Sequence, residues 1–239
     1  MGFSLLDHGF MFLQGASLFC LNYLLFYICE LTLISGLVAL IFSTIVVMNM
    51  LNGILFLKNR FELRMGVGAC LGLIGVVLVF LPEITDFETG SENLMAAALA
   101  VLATFLASVG NIVSVRNQRH GVPVIQANTF GMTYGALIML ALSLVTGQEF
   151  FFEMTASYIG SLLFLSVFAT IIAFLSYLTL LGRVGVERGA YASLIFPLVA
   201  LGISTIVEGY QWSAYAGMGI PLILTGNLLI LKRGRRGIT

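Results

Sequence analysis

The sequence predicts an all-α polytopic membrane protein with about eight transmembrane helices arranged as inverted repeats. The chain has 239 residues, of which 59% are hydrophobic and only 9% are charged, and its mean hydropathy is +1.06. Soluble domains carry roughly 25% charged residues, so this chain lacks the charge that a water-facing surface needs. Most of its surface must therefore face lipid.

Apolar runs long enough to cross a bilayer occur eight times along the chain. A spanning helix needs about 20 mostly apolar residues. Helices are the expected structure because lipid cannot hydrogen-bond backbone N–H and C=O groups. The predicted spans cover residues 9–28, 33–56, 65–82, 92–114, 124–146, 157–180, 189–207 and 213–231.

The basic residues fall in alternate connections between these spans, while the other connections hold acidic residues and no Lys or Arg. Because basic residues accumulate in cytoplasmic loops, this distribution predicts that both termini are cytoplasmic. The expected location is the inner (plasma) membrane, as a multi-pass protein. The basic residues are Lys58, Arg60, Arg64, Arg116, Arg119, Arg183, Arg188, Lys232, Arg233, Arg235 and Arg236.

An internal repeat relates residues 21–43 to residues 175–197, with Tyr23 matching Tyr177. The first predicted span runs outward and the sixth runs inward, so the related segments have opposite orientations. This layout is typical of inverted-repeat secondary transporters. After a three-residue slip the match continues through the glycines, where Gly66, Gly68 and Gly75 correspond to Gly217, Gly219 and Gly226.

Three features together carry a resemblance to a known family. They are the stretch GAYASLIFPLVALGISTIVEGYQW at residues 189–212, the spacing from Gly217 to Gly226, and the pair Gly110-Asn111. In these features the chain resembles the EamA-type branch of the drug/metabolite transporter superfamily. The resemblance implies ten helices in two five-helix inverted repeats, cytoplasmic termini, and export or exchange of small metabolites.

Compared with that plan, the chain is expected to lack the first two helices. We therefore expect a 3 + 5 arrangement derived from a 5 + 5 plan. The incomplete first repeat would hold three helices at residues 1–84, and the second repeat would hold five helices at residues 92–232. One position also departs within the repeat, since Ser43 stands where the second repeat has Pro197.

The sequence lacks the residues that several classes of protein need for their function. No Walker A motif for ATP occurs, neither His8 nor His120 lies in a predicted span, and no CxxC pair indicates a metal site. A net charge of zero leaves no basic surface for nucleic acid. We predict that the protein is not an enzyme, uses no metal or cofactor, and has no nucleic-acid partner.

Neutral polar side chains inside the predicted spans are the candidate functional residues. Facing lipid would be costly for them, so we expect them to face the bundle interior or a cavity. The alternative for any one of them is an ordinary hydrogen bond between helices, worth about 1 kcal/mol or less. The predicted lining of the substrate cavity is Asn22, Tyr23, Asn111, Tyr134, Ser176, Tyr177, Tyr191 and Ser193.

Pro197 is the candidate gating residue, since it falls in the middle of the seventh predicted span. Proline removes one backbone hydrogen bond and can kink a helix. The alternative is a kink that neighbouring helices tolerate.

Two functions remain open from the sequence. The first is a secondary transporter of the inner membrane that exports or exchanges a small, neutral or zwitterionic metabolite, amino-acid-like or drug-like, by alternating access. Tyrosines favour such a solute because they offer both a ring face and a hydroxyl. The second is a truncated, non-transporting membrane protein that acts as a binding or structural partner. The expected partners are the lipid bilayer and a small-molecule substrate, with a homodimer left open.

Overall fold

The computed structural model describes residues 2–85, 90–195, 198–199, 202, 205–206 and 213–231. In these ranges the chain is helical and contains no β-strand. A short helical segment, Leu81–Thr85, follows the third helix. The helices are α1 (Leu5–Glu30), α2 (Ser35–Leu57), α3 (Leu63–Val79), α4 (Ser91–Arg119), α5 (Val124–Val145), α6 (Ala156–Val184), α7 (Val186–Gly189, continued by a 3-10 segment at Ala190–Leu194) and α8 (Ala214–Leu231).

The all-α polytopic membrane fold predicted from composition is confirmed. Among the described residues, α1, α2, α4, α5 and α6 are long and apolar enough to cross a membrane. Helices α3 and α8 are apolar but shorter. The predicted seventh span, residues 189–207, begins within α7 and is described only in part.

Local signals explain where several helices begin and end. The Ser4 side chain accepts a hydrogen bond from the Asp7 backbone N–H (3.2 Å), and the Asp7 carboxylate accepts one from the Ser4 N–H (3.2 Å). Such a reciprocal cap satisfies N–H groups that a helix start leaves unpaired. At the start of α6, Thr155 accepts from the Tyr158 N–H (3.2 Å). Gly121 lies between α4 and α5 with φ +80°, a left-handed conformation that glycine adopts without a Cβ penalty.

Two helices widen locally into π-helix, α1 at Gly15–Leu21 and α6 at Leu165–Ile172. Both segments lie next to the stretches that the internal repeat relates, so the same irregularity occurs in both related helices. π segments within α-helices are frequent at functional sites. The residues that follow these π segments in α1 and α6 are therefore candidates for a functional site.

Helix α4 lies at the centre of the described bundle, in contact with α1, α2, α5 and α6. Its buried residues include Ala96, Ala100, Ala103 and Ala107. Small side chains at this spacing let neighbouring helices approach closely, which is how helices associate where lipid removes the hydrophobic driving force. The centre of the bundle is therefore held by close backbone packing.

The connections that carry Lys and Arg meet at one end of the bundle, called the basic end below. Arg119 Nη2 donates to Asn59 Oδ1 (2.9 Å), and Arg188 Nη2 lies 3.4 Å from Glu62 Oε1. These contacts group the loops as the charge distribution predicts, while the compartment they face stays a prediction. The basic end consists of residues 58–62, 116–123 and 183–188. The remaining basic residues of the C-terminus, Lys232, Arg233, Arg235 and Arg236, lie outside the described residues.

Candidate substrate cavity

Two adjacent cavities share the rings of Phe42 and Phe174, one lying between α1, α2 and α6 and the other between α2, α6 and the 3-10 segment that continues α7. The larger has a volume of about 370 Å³ and is called the Glu30 chamber. The smaller has a volume of about 190 Å³ and is called the Tyr177 chamber. The Glu30 chamber is lined by Asn22, Tyr23, Phe26, Tyr27, Glu30, Ser35, Val38, Ala39, Phe42 and Phe174. The Tyr177 chamber is lined by Phe42, Ala169, Ala173, Phe174, Tyr177 and Ser193.

Asn22 is a buried polar side chain in the wall of the Glu30 chamber. It directly follows the π segment of α1 and is only 6% exposed. Its Oδ1 has no hydrogen-bond partner in the part of the chain that the structure describes. An unpaired buried polar group costs about 1–3 kcal/mol. A donor on a bound solute would remove that cost, so Asn22 is the best-placed acceptor for a ligand in this cavity.

Aromatic rings form most of the wall around Asn22. The ring centroids of Tyr23 and Tyr27 lie 6.3 Å apart, and those of Tyr23 and Phe174 also lie 6.3 Å apart. Glu30 is exposed, at the end of α1. The lining offers ring faces, an amide oxygen and a carboxylate, and no Lys or Arg is among the lining residues described. Such a surface suits an apolar or aromatic body that carries a hydrogen-bond donor or an ammonium group.

Tyr177 connects the smaller chamber to a pair of buried amides behind it. Asn111 Nδ2 lies 3.5 Å from the Tyr177 hydroxyl and 3.5 Å from Asn49 Oδ1, and Asn111 is 1% exposed. Asn111 lines neither chamber. The structure thus places Asn111 behind the wall, where it holds Tyr177 through a hydrogen bond between helices.

Two of the predicted lining residues lie away from the chambers. The Tyr134 hydroxyl is hydrogen-bonded to His8 Nδ1 (2.9 Å), and its ring stacks near Phe130, with centroids 6.3 Å apart. This aromatic cluster joins α5 to the first turns of α1. Ser176 is exposed and lines neither chamber, although its neighbour Tyr177 does.

The residues that were predicted to line the cavity from the seventh span lie at different sites. Tyr191 is buried, donates to the Met65 carbonyl oxygen (2.7 Å), and lines a third cavity at the basic end. Ser193 lines the Tyr177 chamber, and its hydroxyl donates to the Ala190 carbonyl oxygen. The gating candidate Pro197 lies outside the described residues. Of the predicted lining, the two chambers therefore bring together Asn22, Tyr23, Tyr177 and Ser193.

Sequence reasoning identified Tyr23 but missed the other aromatic residues of the Glu30 chamber wall, Phe26, Tyr27, Phe42 and Phe174. The wall residues of α1 are spaced three and four positions apart, which places them on one face of that helix. They are Tyr23, Phe26, Tyr27 and Glu30. That spacing, beside the polar Asn22, is the signal that could have identified the wall.

A second buried polar cluster, also missed, fastens α1 to α4 and α5. Gln14 Nε2 donates to Asn128 Oδ1 (3.0 Å), and Asn117 Nδ2 donates to Gln14 Oε1 (3.1 Å). All three side chains are buried. Nearby, Arg116 lies 3.6 Å from the Asp7 carboxylate. The cluster satisfies most of its own hydrogen-bonding groups, so its chemistry is that of a fastening between helices.

A buried carboxylate lies at the basic end. Glu187 is 7% exposed and accepts a hydrogen bond from Asn59 Nδ2, while Asn59 Oδ1 accepts one from Arg119 (2.9 Å). A Cβ on Gly53 would overlap the Glu187 carboxylate, so the absence of a side chain there makes room for it. These contacts join α7 to the ends of α2 and α4.

Within the described residues, no three His, Cys, Asp or Glu side chains cluster as metal ligands would. The chemistry that the described side chains offer in this cavity is recognition by hydrogen bonds and ring faces.

Comparison with known proteins gives a family, two relatives and a fold. The EamA-like transporter family matches residues 94–232. An "Uncharacterized transporter" of Clostridium kluyveri is 24% identical over 193 residues, covering 80% of this chain and 61% of the relative. Protein PagO of Salmonella typhimurium is 24% identical over 213 residues, covering 89% of this chain and 69% of that protein. The chain thus spans 61% and 69% of the lengths of these two curated relatives.

A solved crystal structure superimposes on 92% of this chain and 75% of its own, with a TM-score of 0.77 at 17% sequence identity. At that identity the likeness shows a shared fold.

Proposed function

The chain belongs to the EamA-like transporter family, and on that premise we propose that it is a secondary transporter working by alternating access. In this proposal it lies in the inner membrane with both termini in the cytoplasm, and its repeats comprise residues 1–84 and 92–232. It exports or exchanges a small neutral or zwitterionic metabolite, amino-acid-like or drug-like.

The observation that carries the proposal is the unpaired Oδ1 of Asn22 in the Glu30 chamber. The chamber lies between α1 and α2 of the proposed first repeat and α6 of the proposed second repeat. A ligand site shared by both repeats is what rocking of one repeat against the other requires. A buried acceptor left unpaired in such a cavity is readily explained as a site for a solute donor.

The two ends of the bundle differ in a way that supports alternating access. At the basic end, Asn59 and Glu187 hold the end of α2 against α7. At the opposite end, the chamber reaches the exposed Glu30. We take this arrangement as the form open at the Glu30 end. Transport requires the Asn59–Glu187 contact to open in the other form, and substrate biases the two forms only if it binds them with different affinity.

The proposed solute follows from the groups that line the chamber. Tyr23, Tyr27 and Phe174 offer ring faces for an apolar or aromatic body. Asn22 and Glu30 offer acceptors for an amino group. An amino-acid-like or drug-like solute with an amino group and an aromatic or branched aliphatic body matches both kinds of surface.

Efflux from cells that express the chain tests the proposal. Cells are loaded with a panel of radiolabelled aromatic and aliphatic amino acids and amphipathic amines, and efflux is compared with that of cells carrying an empty vector. We expect faster efflux of at least one panel member. For that solute, Asn22→Leu should raise the half-saturating concentration about tenfold, since a lost hydrogen bond to a buried partner is worth about 1–3 kcal/mol.

Ser176→Ala is the matched control, because Ser176 is exposed and lies outside both chambers. Its efflux should equal that of the parent chain at equal amounts of membrane-inserted protein. Equal effects of the two substitutions, or no efflux of any panel member, would contradict the proposal.

One observation favours a second candidate, a non-transporting membrane protein that acts as a binding or structural partner. No residue of α6 from Ala156 to Ile172 is buried, so this stretch has room for another protein or a second copy of the chain beside it. Liposomes that contain only the purified chain discriminate between the candidates. Flux of a panel solute by the purified chain contradicts the second candidate, and absence of flux by folded protein supports it.

A further inference from the structure

A third cavity, of about 480 Å³, lies at the basic end between α6, α7 and α8. It is called the arginine cavity here and shares no lining residue with the two chambers. Its polar lining consists of Arg183, Arg188, Tyr191 and Asn227, and no acidic side chain is among the lining residues described. Two guanidinium groups without a lining carboxylate suit an anion.

Asn227 supplies an independent indication of a ligand. It is 6% exposed, lines the arginine cavity from α8, and neither its Oδ1 nor its Nδ2 has a hydrogen-bond partner in the described part of the chain. Leaving both groups of a buried amide unpaired is costly. An occupant with oxygen atoms would accept from Nδ2, and a hydroxyl on the same occupant would donate to Oδ1.

The two arginines are available to such an occupant. Arg188 Nη2 lies 3.4 Å from Glu62 Oε1, but both side chains are substantially exposed, so the pair is weak. Arg183 is exposed at the end of α6. Arginine binds phosphate through a planar fork of N–H donors, which makes phosphate the anion that best matches a pair of guanidinium groups.

The remaining walls of the cavity are apolar and outward-facing. Leu180, Val184 and Ile195 are 38%, 42% and 41% exposed. Side chains this exposed on membrane helices are expected to meet lipid tails, immediately beside the arginines. Basic pockets between transmembrane helices bind anionic lipid head groups, and a free phosphate ion would leave the apolar walls uncovered.

We propose that the arginine cavity binds the phosphate group of an anionic phospholipid, with Arg183 and Arg188 on the phosphate, Asn227 on the head-group oxygens, and the acyl chains along Leu180, Val184 and Ile195. The site is separate from the proposed transport cavity, so its test does not depend on knowing the transported solute.

Purified protein in detergent tests this binding directly. The thermal unfolding midpoint is measured as dioleoylphosphatidylglycerol, dioleoylphosphatidylcholine or sodium phosphate is added, and native mass spectrometry counts bound lipid. We expect phosphatidylglycerol to bind at least tenfold more tightly than phosphatidylcholine and to raise the midpoint, with no effect of sodium phosphate at matched ionic strength. The double substitution Arg183→Gln with Arg188→Gln should remove that preference.

Two further variants keep the test decisive. Arg60→Gln removes one positive charge from an exposed loop at the same end and should leave the preference unchanged. Asn227→Asp keeps the shape of the side chain but adds a negative charge, so it should reduce phosphatidylglycerol binding at least tenfold even if the double variant fails to fold. Equal binding of the two lipids, equal stabilisation by sodium phosphate, or an equal loss in Arg60→Gln would overturn the proposal.

Discussion

Helices α1 and α6 carry the repeat-related tyrosines Tyr23 and Tyr177, and both contain a π segment, yet their surroundings differ. Helix α1 packs against α4 and α5. In α6, no residue from Ala156 to Ile172 is buried. The two helices form facing walls of one cavity. One wall is therefore packed against other helices, whereas most of the other has no buried residue.

The contacts of each helix show why this difference arises. Gln14 of α1 forms hydrogen bonds with Asn117 and Asn128. Helix α6 is held mainly through its second half, where Leu178 is fully buried and its carbonyl oxygen accepts from Gln118 Nε2 (2.9 Å). We therefore expect α6 to be the wall that moves when the cavity changes shape, and α1 to stay fixed.

The largest expected effect is the loss of stability when one methyl group is added to α1, compared with the same addition to α6. A Cβ on Gly15 would overlap the Gly131 carbonyl oxygen, whereas a Cβ on Gly160 of α6 meets nothing within 4 Å. Overpacking of a tight contact costs about 1–3 kcal/mol. Gly15→Ala should lower the free energy of unfolding by that amount, and Gly160→Ala should not lower it. Thermal unfolding in detergent measures both, and equal midpoints would show that α1 is not the more tightly packed helix.

A smaller effect is expected from the polar fastening of α1. Gln14→Leu removes the partner of Asn117 and Asn128, so it should reduce the free energy of unfolding by about 1 kcal/mol, in line with hydrogen bonds between membrane helices. The control on α6 is Ser161→Ala, because the Ser161 hydroxyl donates within its own helix, to the Ser157 carbonyl oxygen (2.9 Å) and that of Tyr158 (3.0 Å). A larger loss in the control than in Gln14→Leu would reverse the assignment of the fixed wall.

The smallest effect is expected from Tyr134→Phe. This change removes the hydrogen bond between the Tyr134 hydroxyl and His8 but keeps the ring in its aromatic cluster. We expect a loss of about 0.5 kcal/mol in stability and unchanged efflux of any solute that the parent chain exports. Efflux reduced as strongly as by Asn22→Leu would show that Tyr134 does contact substrate.

The helices themselves were predictable because a long apolar run in lipid must satisfy its own backbone hydrogen bonds, and a helix does so. The end at which the basic loops gather was predictable for a similar reason, and the Arg119–Asn59 contact agrees with it. The division into repeats at residues 1–84 and 92–232 stays a prediction. So does the role of Pro197, which lies outside the described residues.

The cavity was predictable only in part. Asn22 and Tyr177 were identified because polar groups are rare in such spans, and both line a chamber. Asn111 was selected by the same criterion but lies behind Tyr177, with its Nδ2 directed to that hydroxyl and to Asn49. Gln14 is also a polar residue within a predicted span, yet sequence reasoning did not select it. Its hydrogen bonds from α1 to α4 and α5 were therefore missed.

By itself, the sequence determined that this chain is a bundle of membrane helices whose basic loops share one end. Hydropathy and charge act residue by residue, so their sum along a run of about 20 residues decides its relation to the membrane. Only the tertiary structure decided which polar side chains face a cavity. That depends on how each helix is rotated and on what its neighbours offer, and for this reason Asn111 Nδ2 found partners on α2 and α6 while Asn22 Oδ1 was left unpaired in the wall of a chamber.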